Sequence, residues 1–89
     1  MSYSSLTTDA VCRLGEEIYQ RDIRDQVEPH HLGEFVVIDI GTGDFEVDAD
    51  DMAATDRLIA RHAVGRRYML RVGYDAVYSF GGSNPVKRL

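Results

Sequence analysis

Five arginines, Arg57, Arg61, Arg66, Arg67 and Arg71, fall within one stretch of fifteen residues. A guanidinium offers a planar fork of donors, which suits the paired oxygens of phosphates and carboxylates. Two uses are open to such a cluster. It can be a solvated helix end, with Arg71 paired to a sheet carboxylate such as Asp39, or it can meet a partner. Tyr68, Tyr74, Tyr78 and Phe80 add four of the chain's eight aromatic residues to the same region. A tyrosine-bearing strand beside arginines makes a reasonable protein-binding surface. The candidate site is therefore an interaction surface of Arg57, Arg61, Arg66, Arg67, Arg71, Tyr74 and Tyr78. Arginine-rich contact with nucleic acid, as in an antitoxin-like or regulatory protein, is the alternative.

Other residues invite sharper chemistry and do not support it. Val36-Val37-Ile38-Asp39-Ile40-Gly41-Thr42-Gly43-Asp44 resembles the glycine-rich first motif of methyltransferases that bind S-adenosylmethionine. That motif needs a helix after its glycine turn, inside a large parallel sheet. Here Phe45-Glu46-Val47 alternates as a strand does, so a hairpin is expected. The carboxylates Asp44, Glu46, Asp48, Asp50 and Asp51 lack the glycine and terminal glutamate of a calcium-binding loop, because Ala49 and Thr55 stand there. His30 and His31, even with Asp39 or His62, have no metal-ligand spacing. Cys12 has no recognisable base at catalytic spacing. No nucleophile elbow or phosphate loop is present. No enzyme, metal or cofactor is expected.

The elements that must position the arginines follow from periodicity. A helix begins near Thr7 or Thr8, either of which can cap it, and should stop near Glu28, before Pro29. Val11, Leu14, Ile18 and Val27 mark its apolar side, with Tyr19 and Ile23 beside them. Charged pairs four apart (Glu17 and Arg21, Arg21 and Asp25, Arg24 and Glu28) fit its wet face. Gly15 reads as a mild weakness. Residues 34–40 form a strand rich in β-branched residues and apolar on both sides, hence interior to a sheet. A three-residue loop, Gly41-Thr42-Gly43, would pair Ile40 with Asp44. Phe35, Val37, Asp39, Phe45 and Val47 would then share one face, and Asp44, Glu46 and Asp48 the other.

Residues 44–48 form the second strand, acidic on one side and suited to an edge. A second helix runs from about Asp50 to His62, capped by Asp48, with Met52, Thr55, Leu58, Ile59 and His62 toward the core. Residues 67–72 give a third strand, Gly73-Tyr74 a tight turn, and residues 75–80 a fourth. The fold class is therefore α+β: a helix, then ββαββ, with an antiparallel four-stranded sheet in order 2-1-3-4. Residues 1–89 form one domain, with 1–7 and 81–89 expected to be flexible. The N-terminal helix should cover its own sheet or pack on a second copy, and a homodimer is favoured.

Size and charge limit the functions available. A chain of 89 residues has room for one modest core. No apolar run approaches the ~20 residues of a membrane helix. The first nine residues lack the pattern of a secretory leader, and the single cysteine permits no internal disulfide, so a cytoplasmic location is expected. The net charge of −5 disfavours non-specific binding to nucleic acid. That total divides unevenly: residues 1–56 carry 14 acidic and 3 basic side chains, and residues 57–89 carry 1 acidic and 7 basic. The halves can neutralise each other inside one fold, or the basic half can mark a surface for a partner.

Gly33-Glu34-Phe35-Val36-Val37-Ile38-Asp39, Gly43-Asp44-Phe45-Glu46-Val47 and Leu70-Arg71-Val72-Gly73-Tyr74 resemble segments of a group of short uncharacterised bacterial proteins. The preceding helix, ending Val27-Glu28-Pro29, is similar too. The resemblance implies a small ββαβ-type domain of bacterial origin. The group has no assigned activity, so it implies no functional residue. The sequence leads to a non-enzymatic protein-interaction module, self-associating or bound to another protein.

Overall fold

A computed structural model describes residues 6–75 together with Val86 and Lys87. The first helix, α1 (Thr8–Ile18), is capped by Thr7, whose Oγ1 accepts from the Ala10 N–H at 3.1 Å. It continues through a π-helical segment, Tyr19–Ile23, into α2 (Arg24–Val27). The π segment has a cause in the sequence. Val11, Gly15, Tyr19, Ile23 and Val27 are all buried and lie four residues apart. Steps of four overrun an α-helical turn by about 40° each, so a straight α-helix would carry the line off the core. One wider turn takes up that drift. Arg24 pairs with Glu28 as their spacing predicts, whereas Arg21, inside the π segment, turns to its neighbour Asp22 at 2.9 Å.

Three strands follow in an antiparallel sheet of order β2-β1-β3: β1 (Phe35–Asp39), β2 (Phe45–Asp48) and β3 (Arg67–Arg71). The strand expected to be interior is interior. Its register with β2 differs by one residue from the sequence expectation: Val36 pairs with Val47 and Ile38 with Phe45. The loop is longer by one residue because Asp39 organises it. Its carboxylate accepts from the Thr42 N–H at 3.1 Å and the Thr42 hydroxyl at 2.7 Å, while its carbonyl accepts from the Gly43 N–H at 2.8 Å. Gly43 supplies a positive φ of 80°. A one-residue shift exchanges the faces. Phe45 and Val47 therefore join Val36 and Ile38, and the acidic side of β2 turns to the opposite face, beside Val37.

The main core lies between the N-terminal helix and the first of these faces. It contains Val11, Ile18, Tyr19, Ile23, Val27, Val36, Ile38, Ile40, Tyr68, Leu70 and Val72. The helix thus packs on its own sheet, and its apolar stripe needs no second copy to cover it. The opposite face carries α3 (Asp51–Arg61), whose Ala54 and Leu58 pack on Val37 of β1. Asp50, not Asp48, caps α3, accepting from the Met52 N–H at 3.0 Å; Asp48 accepts from the Asp50 N–H one step earlier. Met52 is 62% exposed, contrary to the expected stripe. The helix instead presents Ala54, Arg57, Leu58 and Arg61, spaced for one face, with the small Ala54 allowing close approach to the sheet.

Val72-Gly73 makes the turn after β3, with Gly73 at φ 86°, and Tyr74 already belongs to β4 (Tyr74–Asp75). This short strand pairs with β5 (Val86–Lys87) in a separate two-stranded sheet. Among the described residues no fourth strand joins the main sheet. Residues 76–80, expected to form one, lie outside the described residues, as does most of 81–89. None of the described helices is long and apolar enough to cross a membrane.

Candidate interaction surface

The five arginines divide into two groups with different partners. Arg57 and Arg61, one helical turn apart on α3, reach across to β2. Arg57 donates to Glu46 Oε1 at 2.7 Å, Asp48 Oδ2 at 2.9 Å and the Val47 carbonyl at 2.9 Å. Arg61 donates to Asp44 Oδ2 at 3.0 Å, to Glu46 Oε2, and to the Phe45 carbonyl at 3.3 Å. His62 Nε2 lies 3.0 Å from Asp44 Oδ2. Both guanidinium groups are therefore engaged within the chain. The acidic and basic halves meet here, and this lattice latches α3 to the sheet. The observed strand register makes it possible, because it turns the three carboxylates toward α3.

These carboxyls are held below their ordinary values. For Asp44 the leading cause is the hydrogen bond from His62, followed by Arg61; for Glu46 it is Arg57, followed by Arg61. For Asp48 the Asp50 backbone N–H leads, followed by Arg57. Lowered native values mean that the carboxylates contribute stability in full above their ordinary range, about pH 4 to 4.5, and lose it as the pH falls through the native values. Glu46→Gln should accordingly lower the melting temperature slightly at neutral pH, and the gap to the unmodified protein should close on acidification. Thermal melts across pH 7 to ~2.5 test this. A gap that ignores pH would mean that Arg57 and Arg61 do not act through the Glu46 charge.

The other arginines sit apart. Arg66 donates to the Leu6 carbonyl at 2.6 Å and ties the chain's beginning to the loop before β3. Arg67 stands opposite Asp39 across the β1–β3 ladder, yet has no carboxylate partner among the described residues, and its buried Nη1 finds no acceptor. Arg71 does not pair with Asp39, because it lies at the other end of the ladder, opposite Phe35. It donates Nε–H to the Gly33 carbonyl at 2.9 Å and stacks over Tyr74 at 4.5 Å and Phe35 at 5.5 Å from the ring centroids.

The β-strand alternation places Arg67, Met69 and Arg71 on the face that α3 occupies, but α3 packs chiefly over β1 and β2. Met69 is 42% exposed as a result. Met69 and Arg71 are exposed beside the helix, and Arg67, Phe35 and Tyr74 lie half-buried around them in one strip. Met69 and Phe35 were missed in the sequence reading; the period-two spacing of 67, 69 and 71 was the signal that could have found Met69. Tyr78 lies outside the described residues.

The candidates for other chemistry are scattered. His31 faces Glu34 at 3.2 Å, His62 faces Asp44, and Asp39 is 3% exposed and committed to its loop. Among the described residues, no group of three or more His, Cys, Asp and Glu side chains is placed to hold a metal ion. Cys12 packs at the margin of the main core. The chain matches no known protein family, no curated protein and no solved structure.

Proposed function

We propose that this domain is a non-enzymatic protein-interaction module that docks through the strip on β3. One observation carries the reading: Met69 and Arg71 are exposed on the face of β3 beside α3, and the half-buried Arg67, Phe35 and Tyr74 around them complete a mixed cationic, apolar and aromatic strip. Arginines and aromatic rings of this kind dominate the energetics of protein interfaces. The nucleic-acid reading is the less favoured one, because two of its five arginines, Arg57 and Arg61, are paired with carboxylates of the same chain. With α1 on its own sheet, the motive for a homodimer also weakens, and a different protein is the partner favoured. A single unpaired cysteine fits a reducing, cytoplasmic setting.

Affinity purification of the tagged domain from the cells that make it tests the proposal. The unmodified domain should retain a stoichiometric protein, and Met69→Asp, which changes only an exposed side chain, should release it while melting normally. Recovery of no stoichiometric protein would reject the reading.

A further inference from the structure

Arg67 and Arg71 differ from Arg57 and Arg61 in making no ion pair among the described residues. Arg57 and Arg61 each hold two carboxylates, and Arg66 is bound to a carbonyl. Arg71 has no carboxylate partner among the described residues, and Arg67 faces only Asp39, whose carboxylate is already committed to Thr42, on a molecule whose net charge is −5. Arg71 is also preorganised. Its Nε–H donates to the Gly33 carbonyl and its guanidinium carbon lies over the rings of Tyr74 and Phe35, which restrains the fork of its terminal nitrogens. A restrained fork loses little freedom on engaging a carboxylate with two parallel bonds. Between the arginines stands Met69, a flexible apolar side chain that adapts to varied partners.

Resting on the interaction-module reading above, we infer that the strip receives an extended acidic segment of a partner protein. Two carboxylates of that segment meet Arg67 and Arg71, and an apolar side chain between them rests on Met69. Strand geometry sets the spacing. Arg67 and Arg71 are four residues apart, about 13 Å along β3, so an extended segment meets both with acidic residues the same distance apart. Carboxylates suit this surface better than a nucleic-acid backbone. The cationic positions are two, separated by an apolar one, and the acidic remainder of the molecule opposes a long phosphate chain.

A labelled synthetic peptide with the central run Glu-Thr-Leu-Thr-Glu, which puts both Glu and the Leu on one face of an extended segment, is titrated into the full chain and followed by fluorescence anisotropy to test the inference. Saturable binding that weakens as salt rises is expected, with no binding of the matching Lys and Leu peptide. The double variant Arg67→Gln, Arg71→Gln should lose about tenfold or more in affinity, since each removes a charge-assisted contact. Arg71→Lys should lose affinity while keeping the charge, because the fork is gone; it also serves as the comparison should the double variant fail to fold. Absence of Glu-peptide binding, equal binding of the Lys peptide, or indifference to these substitutions would overturn the inference. Binding of a duplex oligonucleotide through the same two arginines would overturn it in favour of a phosphate ligand. A stoichiometric partner retained by the double variant would reject the acidic segment and leave the module reading standing. Failure to recover any partner would reject that reading as well.

Discussion

Gly15→Ala is expected to destabilise the domain by about 1–3 kcal/mol, although the same change stabilises most helices by up to about 1 kcal/mol. The reason lies across the core. A Cβ at position 15 would stand 2.3 Å from Tyr68 Cγ, 2.4 Å from Cδ2 and 2.5 Å from Cβ. These atoms lie at the root of the tyrosine, so no rotation of a distal group relieves them. Tyr68 is itself fixed: 6% exposed, it donates its hydroxyl hydrogen to Glu16 Oε2 at 3.0 Å. The helix must therefore retreat from β3, which loosens the whole face, or the ring must leave the core. Urea denaturation of the single variants and of the pair with Tyr68→Ala tests this. The double variant should cost less than the sum of the singles, because removing the ring removes much of the clash. A Gly15→Ala protein as stable as the original would show that the helix does not approach β3 through Gly15.

That glycine illustrates what the sequence could and could not disclose. From the sequence it is a poor helix former; its value appears only when a residue far along the chain is placed against it. The interior position of β1 was legible, since a run of β-branched residues apolar on both sides has few other uses. The order of the three strands followed from that and from the returning helix. The hairpin register was not legible, because the side chain of Asp39 added one residue to the loop through Thr42. That single residue also decided the fate of the arginines. In the expected register Asp44, Glu46 and Asp48 face away from Val37; in the observed one they meet Arg57 and Arg61 on α3. Two members of the candidate site thus became part of the fold. Arg71 and Tyr74 were brought together, at 4.5 Å, in the remaining strip.

Substitution of Asp at Val37 or Ile38 should unfold the domain, and the route should differ between them. Ile38 is 0% exposed and lies in the large cluster between the N-terminal helix and the sheet. Val37, 2% exposed, faces the smaller cluster with Ala54 and Leu58. An unpaired carboxylate in either place costs several kcal/mol. An 89-residue domain commands only about 4–13 kcal/mol in total, at the usual stability per residue. Ile38→Asp removes the support of the helix and of both neighbouring strands, so circular dichroism should show a chain largely unfolded at room temperature. Val37→Asp introduces its charge opposite Glu46 on the face held by α3, adding repulsion between carboxylates to the cost of burial. Hydrogen exchange on any residual folded population should then show α3 losing protection before the N-terminal helix, because the two helices grip opposite faces of β1. Near-native melting of Ile38→Asp would mean that β1 is not the centre of the sheet. Protection lost equally from both helices in Val37→Asp would mean that the two faces do not open separately.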